Sequence, residues 1–292
     1  MRRPIWDALE GKAAHMIRIT ALMDNLPSEN KALVAEHGLS FLLEAPGYRM
    51  LFDCGAGARP WENAHRLGLD VKHVDAVALS HSHYDHAAGF RDLLESGCTC
   101  RTLYTGPHFF EPKFAFDGVK WTDLSAGFTP SFLQVYQIDH IVVNGCREIF
   151  PHVYLVGDFP RVHPMETIPK RFVRQTENGF VADDFPDEIC LVLEVKEKLY
   201  VLCGCSHPGI LNMIARVHAL FGKPVVSVFG GTHLKEADDE RIQATIHELC
   251  DAGLQTLGLS HCSGERTDQL LKATAAAKGC HLGTGDCVFI EE

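Results

Sequence analysis

The sequence LSHSHYDHAAGF, at residues 79–90, is the most informative stretch of this chain. Within six positions it holds four side chains of metal-ligating type: His81, His83, Asp85 and His86. It directly follows VDAVALS (74–80), a nearly continuous apolar run that is typical of a strand buried on both faces. Open α/β sheets place their chemistry in loops at the carboxyl ends of such strands. The stretch therefore predicts a functional site.

The crowding of these side chains indicates a metal site. Three histidines and a carboxylate in one loop would repel one another on protonation and would cost desolvation energy unless a cation held them. Because side chains alternate along an extended segment, His81 and His83 should point the same way, and Asp85 and His86 towards a neighbouring position. We expect one or two divalent ions, zinc first, with manganese or iron as alternatives.

The runs around this loop predict an α/β protein whose second half repeats the order of its first. Strands are expected at 17–24, 38–45, 49–55, 134–143 and 152–156, a short helix at 59–69, and a charged loop at 161–187. In the second half, strands are expected at 189–195, 198–204, 224–231, 254–261 and 286–290, and helices at 208–220, 236–250 and 266–277. This order predicts two β-sheets packed face to face with helices outside.

Two segments stand apart from that pattern. Residues 1–16 are expected to be an N-terminal extension to a single domain at 17–292, and both Met1 and Met16 are open as the start of translation. Residues 106–133 hold seven aromatic residues among Gly and Pro, without a clear helical or strand period. We interpret this segment as an inserted cap or lid, or as an aromatic mini-core under a long loop, and the two can hold together.

The composition favours a soluble, cytoplasmic protein that binds small molecules. The formal net charge of −11, without a cluster of Lys or Arg, repels nucleic acid. No apolar run reaches the length of a signal-peptide core or a membrane span, so no membrane is expected as a partner. The 11 cysteines are scattered through apolar strands, and reduced thiols fit the cytosol. No sequence feature sets an oligomeric state.

The His-x-His-x-Asp-His pattern after a buried strand resembles the signature of the metallo-β-lactamase superfamily. FDCG (52–55) is similar to the Asp-x-Gly strand end of that superfamily. Three later motifs resemble the branch that includes the archaeal 7,8-dihydropterin-6-methyl-4-(β-D-ribofuranosyl)-aminobenzene-5'-phosphate synthase-like proteins: GCSHPGI (204–210), GGTHL (230–234) and SHCSG (260–264). The similarity runs from about residue 17 to 290. It implies an αββα four-layer sandwich with a binuclear metal site.

The resemblance also implies a ligand set. His81 and His83 would bind one metal, Asp85 and His86 the second, and His261 matches the final histidine ligand of the second site. Where most relatives have a bridging Asp after a Gly, this chain has Gly204, Cys205, Ser206 and His207. We expect His207 to be the ligand here, and Cys205 to be a buried thiol with a ligand role still open.

A second departure concerns the His-rich third motif of the superfamily, which is replaced by FPDEIC (185–190). Asp187 or Glu188 could supply an oxygen ligand there, or could be solvated loop carboxylates. His233, in GGTHL, is a candidate for a ligand or a substrate contact, or for a structural role beside the ligands. Six other histidines have no such context and are expected on the surface or in packing: His108, His140, His152, His163, His247 and His281.

The expected chemistry is hydrolysis or group transfer by a metal-bound hydroxide at an ester or phosphoester. Asp85 and His233 are the catalytic candidates, and activity should fall below about pH 6 because the ligands must be neutral imidazoles. The branch suggests a phosphorylated, aromatic or pterin-like substrate on which rings of 109–132 could stack. The alternatives are a metal-containing, ligand-sensing protein without turnover, and a di-iron oxidoreductase, which would typically carry Glu in place of His83.

Overall fold

The structure, a computed structural model, describes residues 16–274 and 278–291. The N-terminal extension expected at 1–16 lies outside the described residues except for Met16, which begins the first strand. The last residues of the helix expected at 266–277 also lie outside them. Among the described residues, none of the helices has the length and apolar character that a membrane crossing requires.

The described chain forms eighteen strands and seven α-helices. The strands are β1 (Met16–Met23), β2 (Ser40–Ala45), β3 (Tyr48–Phe52), β4 (Ala76–Ala78), β5 (Thr102–Thr105), β6 (Lys113–Phe116), β7 (Trp121–Asp123), β8 (Asp139–Val142), β9 (Cys146–Phe150), β10 (Val153–Val156), β11 (Phe172–Thr176), β12 (Gly179–Ala182), β13 (Cys190–Val195), β14 (Lys198–Cys203), β15 (Val225–Gly230), β16 (Thr256–Leu259), β17 (Lys278–His281) and β18 (Cys287–Glu291). The helices are α1 (Arg59–Leu67), α2 (Tyr84–Ala87), α3 (Gly89–Glu95), α4 (Pro130–Val135), α5 (Ile210–Phe221), α6 (Asp239–Asp251) and α7 (Glu265–Thr274).

Two seven-stranded mixed sheets form the centre of the fold. The first has the order β18-β1-β2-β3-β4-β5-β8, and the second has the order β17-β16-β15-β14-β13-β10-β9. Alternation along β2 shows how they are buried. Phe41 and Leu43 point into the core shared by the two sheets, whereas Leu42 points outward into the core shared with α1 and α3. Full burial of each such side chain contributes roughly 1.5–3 kcal/mol.

The outer face of the second sheet is covered in the same way, by α5, α6 and α7. Helices therefore flank both sheets, and the expected αββα four-layer sandwich is confirmed. Helix α5 shows how a loop is fixed to this framework. Buried Glu166 accepts hydrogen bonds from the N–H groups of Leu211 and Asn212, so a carboxylate caps the positive end of the helix.

The segments without clear period form a third, four-stranded sheet of order β12-β11-β6-β7. Strands β6 and β7 lie in the aromatic segment 106–133, and β11 and β12 lie in the segment expected to be a charged loop. Strand β11 pairs with β6 across about sixty residues of sequence, which local patterns cannot predict. The strand expected at 134–143 is also different, since it begins inside α4 and only β8 is extended.

The aromatic segment divides its rings between two places. Phe109 and Phe128 are buried in the outer core of the first sheet, as a mini-core would be. Phe116 and Trp121 instead stack on the third sheet, with ring centroids 4.7 Å apart, and both are partly exposed. The first place fits an aromatic mini-core, and a cap or lid role for the segment stays a prediction.

Four strands end at one edge of the sandwich. Strands β14, β15 and β16 are parallel neighbours in the second sheet, so their carboxyl ends meet. Strand β4 of the first sheet ends at the loop that contains the histidine cluster. The motifs at 79–90, 204–210, 230–234 and 260–264 are thus brought to a common place.

His281, expected to be an ordinary surface or packing residue, links three elements instead. Its ring, in β17, contacts Asp268 of α7 at 3.1 Å and Asp24, after β1, at 2.8 Å. Burial by itself lowers the pKa of His281, but the two carboxylates outweigh burial and raise its pKa to about 9.

We predict that His281→Gln destabilises the protein mainly at acidic and neutral pH. A raised folded-state pKa stabilises fully below the unfolded value of about 6.5, and the effect is lost as the pH rises through about 9. Because the site is partly exposed, we expect the free energy of unfolding to fall by roughly 1–2 kcal/mol at about pH 6 and by clearly less near pH 9.5. Urea denaturation at both pH values measures this, with exposed His65→Gln as the control. An equal loss at both pH values would contradict the assignment.

Candidate metal centre

Three buried imidazoles face one another at the edge where the strands end. The first group consists of His81, His83 and His207, and one ring nitrogen from each lies within 4.8 Å of the others. The Nε2 atoms of His81 and His83 and both ring nitrogens of His207 are buried without a hydrogen-bond partner. Burying polar nitrogens unpaired costs roughly 1–3 kcal/mol each, so the group fits a cation that would take their lone pairs.

A second set of ligand atoms lies beside the first. This second group consists of Asp85, His86, Cys205 and His261. His86 Nε2 lies 3.2 Å from His261 Nε2 and 3.1 Å from Cys205 Sγ. Asp85 Oδ2 lies 3.2 Å from His261 Nε2 and 3.8 Å from His86 Nε2. A carboxylate, two imidazoles and a thiol at these separations also fit a divalent ion.

Hydrogen bonds fix which nitrogen each ring offers. Asp53, at the end of β3, accepts hydrogen bonds from the backbone N–H of Ser80 at 2.7 Å and from its hydroxyl at 2.8 Å. His86 Nδ1 lies 2.7 Å from the same carboxylate, and His81 Nδ1 lies 2.9 Å from the Ser80 hydroxyl oxygen. Both rings therefore carry the proton on Nδ1 and turn Nε2 towards the groups.

Glycine is required where the two sheets meet at this network. A Cβ atom on Gly204 would lie 2.0 Å from Ser80 Oγ and 3.0 Å from Asp53 Oδ2. Backbone strain also collects here, since Asp53, Ser206, His233 and His261 all have positive φ of 51° to 62°. Such conformations cost roughly 1–3 kcal/mol each and cluster at functional sites.

The two groups differ in their protonation. Burial lowers the pKa of His81, His83 and His207 well below the ordinary value, so these rings are neutral and ready to bind a metal. Burial opposes charge on His86 as well, but Asp53 and Asp85 outweigh it and raise the pKa of His86 to about 9. Two carboxylates thus favour the protonated form of an imidazole in the second group, whereas burial keeps the imidazoles of the first group neutral.

Comparisons with known proteins agree with this geometry. The sequence model of the metallo-beta-lactamase superfamily matches residues 33–126. A crystal structure described as a metal-dependent hydrolase of the beta-lactamase superfamily superposes with a TM-score of 0.81 at 27% identity, over 94% of this chain and all of the other. The chain is therefore similar to the metallo-β-lactamase superfamily in sequence at 33–126 and in fold over nearly its whole length.

Two relatives show different breadths of similarity. The 7,8-dihydropterin-6-methyl-4-(beta-D-ribofuranosyl)-aminobenzene-5'-phosphate synthase of Methanocaldococcus jannaschii is 27% identical over 276 residues, which cover 87% of this chain and 90% of the relative. Ribonuclease Z of Saccharolobus solfataricus is also 27% identical, but over 143 residues that cover 47% of this chain and 46% of the relative. The resemblance to the synthase therefore spans most of both chains.

Cys205 and His207 occupy the segment where most members of the superfamily have a bridging aspartate. In the structure, their side chains lie in different places. His207 joins His81 and His83 in the first group, whereas Cys205 lies in the second group, near ligand atoms of His86 and His261 and also near His81 of the first. Cys205 is buried, as expected, but its sulfur is directed to the other ligand atoms. The GCSH sequence alone does not indicate that the Cys205 sulfur lies near those ligand atoms.

Asp187 and Glu188 accept hydrogen bonds from the backbones of the two loops that carry the histidines of the first group. Asp187 Oδ2 accepts a hydrogen bond from the N–H of Ser82, between the two histidines of the loop, and its Oδ1 pairs with Lys113 Nζ at 2.5 Å. Glu188 accepts hydrogen bonds from the N–H groups of Ser206 and His207. Within the described residues, neither carboxylate joins a group that could hold a metal, and neither is solvated, since both are buried.

His233 lies next to the first group without being part of it. Its ring centroid is 4.4 Å from that of His207, and burial lowers its pKa to about 4. Phe172 and Phe185 also pack against His207. The Phe185 ring stacks on the His207 ring, with the ring centroids 3.8 Å apart. Among the described residues, no ring of 106–133 stacks on a histidine of the two groups, and stacking of a substrate on that segment stays a prediction.

Sequence reasoning missed one histidine of the site. His37 Nε2 lies 3.0 Å from Asp85 Oδ2, although His37 belongs to the connection between β1 and β2. Its sequence context, AEHGL, carries no metal-ligand spacing. Only the neighbouring glycine hinted at a close approach of the backbone.

We predict that Glu188→Gln weakens metal binding to the first group. An amide cannot accept both hydrogen bonds that fix Ser206 and His207, so the His207 ring loses its orientation. Loss of such support typically lowers metal affinity by roughly 10- to 100-fold. Chelator competition measures it, with exposed Asp184→Asn, in the same loop, as the matched control. Equal affinities in both variants would contradict the role assigned to Glu188.

Proposed function

We propose that this protein is a metal-dependent hydrolase or group-transfer enzyme that acts on an ester, phosphoester or related bond of a small molecule. The observation that carries this proposal is the set of buried, unpartnered imidazole nitrogens in the first group. A purely structural histidine cluster would have paired them with hydrogen-bonding groups. Relatives of the chain are enzymes, among them a synthase and ribonuclease Z.

The ligands proposed are the members of the two groups. His81, His83 and His207 would hold one ion, and Asp85, His86, His261 and Cys205 would hold the other. Zinc is the ion we expect first, because imidazole and thiolate together suit zinc or iron better than manganese. Bound there, the ions would supply acidified water at neutral pH and would balance negative charge on reacting oxygens.

The chain's own residues have distinct parts in this proposal. Asp85 orients the attacking water, since one of its oxygens lies between His261 and His37 and its backbone is fixed by Leu39. His233 is neutral at pH 7 and faces the first group, so its ring can hydrogen bond to the substrate. Phe172 and Phe185 keep water from the first group on one side.

The position and charge of Arg171 support the proposal that the substrate is anionic. Its guanidinium lies 4.4 Å from the ring centre of Phe172, which packs on His83 and His207, and its charge lowers the pKa of His233. Glu236 pairs with it and keeps the side chain in place. A phosphorylated or aromatic, pterin-like molecule fits this cation and these rings, in line with the synthase-named relative.

Cellular location and partners follow from the same features. We infer a cytoplasmic enzyme, because all eleven cysteines are free, including buried Cys190 and Cys203 in the second sheet. A small molecule is the proposed partner rather than RNA, because the net charge of −11 repels polyanions.

We predict that His83→Ala abolishes metal-dependent turnover. Metal-free protein is reloaded with Zn²⁺, Mn²⁺ or Fe²⁺ and assayed on a nitrophenyl phosphodiester and a nitrophenyl ester, with elemental analysis of bound metal. Loss of one imidazole should remove about one bound ion and lower the rate by at least roughly 100-fold. The control is His65→Ala on the exposed face of α1. Wild-type protein that binds metal but turns over neither compound would favour the ligand-sensing alternative.

We predict that Arg171→Gln affects binding of charged substrates. The KM for a phosphomonoester should rise by roughly 5- to 30-fold, equivalent to about 1–2 kcal/mol, while kcat and the KM for a neutral ester stay nearly constant. Arg174→Gln is the matched control, because this arginine of β11 is likewise paired with acids, Glu111 and Asp184, but among the described residues it makes no cation–ring contact with Phe172. An equal change for charged and neutral substrates would argue against anion recognition.

A further inference from the structure

We propose that His37 is an exchangeable ligand on the solvent side of the second group, where it forms a cation position together with Asp85 and His261. The three ligand atoms lie within 4.8 Å of one another. Asp85 Oδ2 is 3.0 Å from His37 Nε2 and 3.2 Å from His261 Nε2, which are separations typical of two ligands on one ion. The inference rests on the proposed function and adds a ligand outside the motifs of the sequence.

The backbone around His37 is built to deliver its ring to Asp85. The N–H of Leu39 donates to the Asp85 carbonyl at 3.1 Å. A Cβ atom on Gly38 would lie 2.7 Å from that same carbonyl oxygen, and Gly38 has φ of +151°, so the segment can approach only with glycine at this position. His37 is thus held beside the carboxylate by its two following residues.

Asn25 connects this segment to the other imidazole. Its Oδ1 accepts a hydrogen bond from the N–H of Gly38 at 3.1 Å and lies 2.8 Å from His261 Nδ1. Because Oδ1 accepts from both, His261 carries its proton on Nδ1 and leaves Nε2 free. The same amide therefore fixes the tautomer of one ligand and the loop that bears the other.

Exposure indicates why this ligand is exchangeable. The His37 side chain is 58% exposed, whereas those of Asp85 and His261 are 8% and 1% exposed. The His37 ring lies between Tyr84 and His261, with centroid distances of 6.4 and 5.0 Å, and no backbone group of the described residues forms a hydrogen bond with the ring. With an ion bound, His37 would be the ligand that could leave while the buried side chains of Asp85 and His261 stay in place.

Two substitutions separate ligation from simple hydrogen bonding to Asp85. In His37→Gln the amide can still donate a hydrogen bond to the carboxylate, but it is a poor ligand for cobalt or zinc. His37→Ala removes both functions. The matched control is His73→Ala, because His73 is exposed and its ring pairs with the carboxylate of Asp70, as the His37 ring pairs with that of Asp85.

The experiment is a titration of metal-free full-length protein with Co²⁺, followed by its visible absorption and by metal analysis. We expect two ions in the wild type and in His73→Ala, and a roughly 10- to 100-fold weaker second ion with an altered spectrum in both His37 variants. Wild-type affinity and spectrum in His37→Gln would overturn the proposal and leave His37 a hydrogen-bond partner. Unchanged binding in both variants would also overturn it. Wild-type protein that binds no cobalt would instead overturn the proposed function itself.

Discussion

The buried carboxylate of Asp53 is the contact on which the site depends. It accepts two hydrogen bonds from Ser80 and one from His86, so it joins the end of β3 to the turn after β4 and directs one imidazole. The Ser80 hydroxyl oxygen also accepts a hydrogen bond from His81 Nδ1, so Asp53 orients the His81 ring through Ser80. Removal of a buried carboxylate with several partners leaves each of them unsatisfied, which is costly where water cannot enter. The loop of four candidate ligands is therefore shaped by a residue that lies outside both groups.

Buried carboxylates also fix the loops on the opposite side of the site. Asp187 holds the backbone of Ser82, and Glu188 holds the backbone of Ser206 and His207. Two adjacent acids thus fix the two loops whose histidines must converge. Lys113 of β6 forms an ion pair with Asp187, so the third sheet is connected to one of these two loops through that carboxylate. Unlike Asp85, these two carboxylates orient the candidate ligands and lie outside both groups.

The sequence allowed the four-layer sandwich and the loop at 79–90 to be predicted, because buried strands and a dense ligand cluster are local signals. It favoured His207 over Cys205 as a ligand but did not show that the two side chains lie in different groups, since their positions depend on where β14 ends relative to β4. The role of Glu188 and the presence of His37 depend on contacts between distant segments, which no spacing reveals. The third sheet was missed for the same reason, because β6 and β11 pair across a long intervening chain.

The chemistry of the two groups also makes them electrically unequal. The first group offers only imidazoles that burial keeps neutral, so an ion there would keep its full double charge. The second group contains the carboxylate of Asp85, and Cys205 beside it can add a thiolate. Burial raises the pKa of Cys205 well above its ordinary value, so only a bound cation would ionise this thiol. An ion in the second group would then be largely neutralised. The more negative part of a substrate should consequently be drawn to the first group, on the side where His233, Phe172 and Arg171 stand.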